Sequence, residues 1–257
     1  MRTTILAPFG VALEGCSIAT LSSADIDETI ELVARHRVAV FRDQVVDDRT
    51  FVGFLARLGE LTFTEGETPV TGAPDLNLIS NVGRTTPPRS VFHTDTSYVA
   101  RPPAFTALRA VELPAAGGST LFSDQVRAAE RLPKRVRSAL AGRTIRHGPT
   151  GVAGTGGATR HPLFRRHPIT NEVALYLSTP ERCTALSGMD DARSARAVAA
   201  LYRHSIRPNG LYRHAWRDGD IVVWDDRVTM HRADHDDVCG DRILHRGMVL
   251  GEVPIPA

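Results

Sequence analysis

Phe92-His93-Thr94-Asp95 sets an imidazole and a carboxylate two residues apart, and the reading of the chain turns on it. On a strand, residues i and i+2 project to the same side, so one short strand could offer both groups to one ion. The third ligand must then come from a different strand. His231 supplies it, 138 residues beyond His93, at the end of Trp224-Asp225-Asp226-Arg227-Val228-Thr229-Met230-His231. A His-x-Asp pair plus one distant His is the ligand set of the facial triad that holds non-haem Fe(II) and leaves positions open for substrates and O2. With ten histidines present, the pair alone is a weak signal. It gains force from His231 and from Arg242, eleven residues further on.

Working outward, the chain changes character at about Val91. Short strand candidates alternate with Pro/Gly turns at Thr106 to Val111, Ser119 to Phe122, Leu163 to Arg166, Val173 to Leu177, Ile221 to Trp224 and Ile243 to Leu250. That punctuation predicts a sandwich or barrel. Before it, Ser22-Ser23-Ala24-Asp25 matches a capping box, and Ile26, Ile30 and Val33 repeat at helical spacing. Val38 to Phe41 reads as a short buried strand and Leu76 to Ile79 as another. Asp47 is placed to cap a second helix with Phe51, Phe54, Leu55 and Leu58 on one face. Helical inserts are expected near Ser123 to Ala141 and Asp190 to His204. The Gly-rich run Gly151 to Gly157 lacks the Gly-Lys-Ser/Thr ending of a phosphate-binding loop and is read as a flexible loop or lid.

In Arg242-Ile243-Leu244-His245-Arg246-Gly247-Met248-Val249-Leu250, strand alternation puts Arg242, Leu244, Arg246 and Met248 on one face. An Arg that points into a barrel needs an anion, because an unpaired buried charge is costly. Two such arginines imply two anionic groups, and guanidinium suits a carboxylate. Two surface arginines on an edge strand are the alternative.

Composition narrows the partners. The 31 Lys+Arg are nearly balanced by 29 Asp+Glu, so no nucleic-acid footprint stands out. No run approaches the ~18 apolar residues of a membrane span. Cys16, Cys183 and Cys239 are widely spaced and form no Cys-x-x-Cys pair. A disulfide framework or zinc ribbon is therefore not expected, and a cytoplasmic location is.

These residues resemble the taurine dioxygenase and dichlorophenoxyacetate dioxygenase family of Fe(II)/2-oxoglutarate-dependent oxygenases. The likeness runs through Val40-Phe41-Arg42-Asp43-Gln44, Leu58-Gly59-Glu60-Leu61, Phe92 to Tyr98, Pro114 to Phe122, His161 to Pro168 and Gly219 to His231. The resemblance implies a mainly β fold with flanking helices, a double-stranded β-helix (jelly-roll) core, and one dioxygenase domain over residues 1–257. It implies His93, Asp95 and His231 as iron ligands, and Thr120 and Arg242 as contacts to 2-oxoglutarate. It further implies Arg246 as a contact to an acidic group of the substrate. Asn81 and Tyr98 are candidates for the substrate pocket; a turn residue and a core residue are the alternatives. Where the taurine enzyme has a histidine that touches the sulfonate, this chain has Thr64, which argues against taurine itself.

The reaction so implied is oxidation, most simply hydroxylation, of a small anionic or amino-acid-like molecule. Fe(II) and O2 take part, and 2-oxoglutarate is decarboxylated to succinate and CO2. Desaturation and cyclisation share the ligand set. A non-catalytic metal- or anion-binding jelly roll and a zinc hydrolase are the rival readings. Families of this kind often form homo-oligomers, as dimers or tetramers.

Overall fold

In a computed structural model of the protein, which describes residues 1–64, 66–84, 90–150 and 157–257, the two N-terminal helices begin where their caps lie. The Ser22 hydroxyl accepts from the Asp25 N–H while the Asp25 carboxylate accepts from the Ser22 N–H, and helix Ser23–His36 follows. Asp47 accepts from the Thr50 N–H at the start of helix Asp48–Leu58. Its Phe51, Phe54, Leu55 and Leu58 are all buried, as their spacing predicts.

The larger sheet runs in the order Arg2–Ile5, Val11–Glu14, Val38–Phe41, Ile221–Asp225, Pro103–Glu112, Ile243–Leu250, Ala73–Ser80, Pro69–Val70. Neighbours are antiparallel except Val11–Glu14 with Val38–Phe41, and Leu61–Thr62 pairs off the path with Ile243–Leu250. Among the described residues three further sheets have three strands each, and the smaller sheet that packs against the larger one is Leu211–His214, Thr120–Asp124, Thr229–Ala233. Side-chain alternation sorts the apolar residues. Ala39, Phe41, Ile221, Val223, Phe105 and Ala107 pack in the cluster that contains the two helices. Their neighbours in sequence, Val38, Val40, Val222, Trp224 and Leu108, turn to the other face and meet Phe122 of the smaller sheet. Central strands buried on both faces read as continuous apolar runs for this reason. The functional side chains lie between the two sheets of this jelly roll.

Gly247 shows how tightly the outer layer is packed. A Cβ there would lie 2.1 Å from Leu55 Cδ1 and 3.0 Å from Leu76 Cδ2. Helix Asp48–Leu58 therefore sits directly on the strand that carries Arg246, and only glycine leaves it room.

One expectation changes. The helical insert after Ser123 is two helices, Gln125–Glu130 and Lys134–Leu140. Pro133, which has no N–H, stands at the N-cap of the second and separates them. Leu211–His214 and Thr229–Ala233 are strands although their sequences are polar. Both sides of Thr120–Asp124 are open to pairing, and cross-strand registry settles them. Of the Gly-rich run read as a lid, residues 151–156 lie outside the described residues.

Candidate active site

His93 and His231 are held together by backbone. Each N–H donates to the other's carbonyl oxygen at 2.9 Å, an isolated antiparallel bridge that brings the ring centroids to 4.4 Å. The chain then turns at Asp95, with Thr96 at φ 42°. The shared projection of His93 and Asp95 thus comes from a bridge followed by a turn, where a short strand was expected. Thr94 between them is pinned by its hydroxyl, which donates to Leu177 O at 2.8 Å. Asp95 Oδ1 lies 3.5 Å from His93 Nε2 and Asp95 Oδ2 lies 3.8 Å from His231 Nε2. One ligand atom from each residue falls within 4.8 Å of the others. Three donors bonded to one ion at ~2.1 Å stand about 3 Å apart when at right angles, so an ion fits among them after a small contraction.

Protonation suits a cation. The His93 Nδ1–H donates to Val91 O at 2.9 Å, which leaves the Nε2 lone pair free. Burial pushes the His231 imidazole down to about 3, with His93 adding to the effect, so this ring is neutral at neutral pH. Burial alone would raise the Asp95 carboxyl, but Arg246, His231 and His93 hold it well below its ordinary value.

Behind Asp95 stands a second carboxyl that the sequence reading gave no role. Asp226 is fully buried, and burial together with the Asp95 charge pushes it well above its ordinary value. Thr106 Oγ1 lies 2.5 Å from Asp226 Oδ2 and 3.1 Å from Asp95 Oδ2. One hydroxyl has one proton. With Asp95 ionised, protonated Asp226 donates to Thr106 and Thr106 donates to Asp95. Trp224 Nε1–H fixes the other oxygen of Asp226 at 3.1 Å. Thr106 had no local signature in the sequence, since a lone Thr on a strand has none. Asp226 was visible only as part of a motif.

Across the cavity, Arg242 is 3% exposed. Its Nε–H donates to Gly118 O at 2.9 Å and its Nη2–H to Thr120 Oγ1 at 3.4 Å. Among the described residues no carboxylate pairs with it, and burial lowers its pKa to about 10. It remains charged at neutral pH. A charge left this way is costly unless an anion completes it. Gly118, at φ 73°, makes the approach possible: a Cβ there would lie 3.1 Å from Arg242 Cδ.

Arg246 is already engaged. Its Nη1 lies 3.4 Å from Asp95 Oδ1, its Nη2 lies 3.7 Å from Glu67 Oε1, and it also donates to Asn77 and Thr64. His93, His231, Thr120, Arg242, Arg246 and Asn81 all line one cavity of about 240 Å³, together with Glu67, Arg84 and His235. Asn81 spends both side-chain atoms on backbone, donating to Gly240 O at 3.0 Å and accepting from Arg242 N at 2.7 Å. Tyr98 is not among the lining residues; it is buried with the Arg182 guanidinium 5.6 Å over its ring.

Residues 3–248 match the model of the family described as taurine catabolism dioxygenase TauD, TfdA. The chain belongs to the TauD, TfdA family. Several of its relatives are named as alpha-ketoglutarate-dependent dioxygenases. It is 29% identical to an alpha-ketoglutarate-dependent sulfate ester dioxygenase of Pseudomonas putida, over 96% of this chain and 88% of that one. It is 30% identical to pentalenolactone F synthase of Streptomyces avermitilis, over 95% and 92%. The crystal structure of a taurine dioxygenase from Burkholderia xenovorans superposes with a TM-score of 0.88 at 31% identity, covering 99% of this chain and 92% of that one. This TauD, TfdA protein is thus an Fe(II)/2-oxoglutarate-dependent oxygenase that uses Fe(II), 2-oxoglutarate and O2 and acts on a small molecule. Among the described residues no helix is long and apolar enough to cross a membrane.

Proposed function

We propose that the protein hydroxylates a small amino-acid-like or anionic molecule, with His93, Asp95 and His231 holding Fe(II) and Arg242 and Thr120 holding the far carboxylate of 2-oxoglutarate. The observation that carries this reading is the convergence of two matched sites on one cavity. His93, Asp95 and His231 bring one donor atom each within 4.8 Å of one another, and the buried Arg242 guanidinium has no carboxylate partner among the described residues. Bound Fe(II) supplies O2 activation coupled to the oxidative decarboxylation of 2-oxoglutarate to succinate and CO2.

The chain's own residues do the rest. Arg242 and Thr120 would fix the far end of the cosubstrate and so orient its 2-oxo acid end toward a metal held by His93, Asp95 and His231. The Asp226–Thr106 pair holds Asp95 in one rotamer and keeps a proton away from its carboxylate. Trp224, with its ring centroid 4.5 Å from that of His231, and Phe122 exclude water from the back of the imidazole.

Substrate recognition falls to Arg246 and Glu67. An acidic group bound at Arg246 meets the Glu67 carboxylate beside it. A molecule with both an acid and an amine satisfies both partners, which favours an amino-acid-like compound over a simple acid. We read residues 1–257 as one dioxygenase domain. A cytoplasmic setting is supported by three unpaired cysteines.

The test is an anaerobic titration. A visible charge-transfer band should appear only when Fe(II) and 2-oxoglutarate are both present. Its absence would leave a non-catalytic binding protein as the better account. Succinate release is then screened against simple acids, amines and amino acids. Stimulation by amines alone would overturn the role given to Arg246.

A further inference from the structure

The hydroxyl of Thr120 has more partners than the cosubstrate needs. Trp216 Nε1–H donates to Thr120 Oγ1 at 3.1 Å, and Arg242 Nη2–H approaches the same oxygen at 3.4 Å. A threonine hydroxyl has two lone pairs and one proton. Both incoming donors occupy the acceptor side, so the remaining direction belongs to the proton. Thr120 and Arg242 line the cavity; Trp216 does not. The indole therefore stands behind the hydroxyl and touches only its back.

Trp216 is itself tightly placed. Its ring meets that of His214 edge to face with centroids 4.6 Å apart. His214 lies 3.1 Å from Asp220 Oδ2 and its Nδ1 is 3.2 Å from the Tyr212 hydroxyl. Asp220 is fully buried and accepts from Arg42 at 2.7 Å and from the Arg217 N–H at 2.9 Å. His214 is also the registry partner of Thr120 across the two strands, so the chain of contacts closes on itself.

We propose that Trp216 is a positioning residue that locks the Thr120 hydroxyl with its proton aimed into the cavity, so that Thr120 can only donate to the carboxylate held by Arg242. This rests on the cosubstrate reading above. Without the indole N–H, the hydroxyl is free to turn its proton elsewhere, and the carboxylate can meet an oxygen lone pair. The neutral indole–hydroxyl bond that sets this direction is worth about 3- to 10-fold in affinity.

The experiment uses full-length protein loaded with Fe(II) under anaerobic conditions, and the affinity is read from the charge-transfer band. Trp216→Phe keeps an aromatic ring and removes the N–H. It should weaken 2-oxoglutarate about 3- to 10-fold while leaving pyruvate, which lacks the distal carboxylate, unchanged. In a Thr120→Val background the same substitution should change nothing further. If Trp216→Phe fails to fold, replacing Trp216 by its benzothienyl isostere keeps the bicyclic shape, lacks the N–H, and should give the same shift. Equal weakening of pyruvate, an unchanged 2-oxoglutarate affinity, or a full effect in the Thr120→Val background would each overturn the proposal. A wild-type protein that shows no band with 2-oxoglutarate would overturn the cosubstrate reading first, and this proposal with it.

Discussion

Arg242→Gln should make the protein more stable and the cosubstrate much weaker, two effects of opposite sign from one side chain. Burial lowers the guanidinium from 12.5 to about 10. At ~1.4 kcal/mol per pH unit, a depressed folded-state value of this size carries about 3 kcal/mol of destabilisation. The sign follows from linkage: the cost is present at every pH below the folded value and is relieved only as pH rises past it. Glutamine removes the charge but loses the donations to Gly118 O and Thr120 Oγ1, together worth about 1 kcal/mol. The cosubstrate-free protein should therefore gain about 2 kcal/mol, or roughly 5 °C in Tm for a chain of this length. Binding moves the other way. Losing one partner of a buried, hydrogen-bonded charge pair costs about 2–4 kcal/mol, so 2-oxoglutarate should bind ~30- to 1000-fold more weakly. Thermal unfolding of metal-free protein and the anaerobic titration measure the two halves. A lower Tm, or affinity weakened less than threefold, would show that Arg242 is held by structure and not reserved for an anion.

Two further outcomes concern stability. Gly247→Ala should cost about 2 kcal/mol in denaturant unfolding, because the new methyl would overlap Leu55; a second substitution, Leu55→Ala, should recover part of the strain, and no recovery would place the strain elsewhere. His147 is fully buried, and burial pushes its pKa down to about 3. Its contribution should be complete above about pH 6.5 and lost as pH falls toward 3, with a slope approaching ~1.4 kcal/mol per pH unit. His147→Gln should flatten stability against pH in that window, and an unchanged slope would assign the acid sensitivity to other groups.

Local signals explain which parts were legible. The caps at Ser22 and Asp47 and the apolar face of Asp48–Leu58 are set by residues within a few positions of each other, and the structure follows them. Ile243–Leu250 has the same bounds as the strand read from the sequence. Leu211–His214 and Thr229–Ala233 were not legible, because polar strands acquire their identity from partners roughly 90 to 110 positions away in the chain. His93, His231 and Arg242 were found from residue type and order and Thr120 through the family resemblance, and the four share one cavity. Thr106, Asp226, Glu67 and Trp216 were missed as functional candidates. Each matters through contacts made across the fold, and no spacing rule encodes those.

The place of Ile243–Leu250 has a consequence for how the molecule is made. This strand lies between Pro103–Glu112 and Ala73–Ser80, both far upstream. Ile221–Asp225 likewise fills the gap between Val38–Phe41 and Pro103–Glu112. During synthesis the early strands must wait, with open edges, for partners that leave the ribosome more than a hundred residues later. Such long-range closure is slow and exposes sticky edges to neighbouring chains. Nascent fragments that stop short of residue 220 should accordingly be chaperone-bound and aggregation-prone, and the last long strand to emerge both seals the sheet and delivers Arg246 to the cavity.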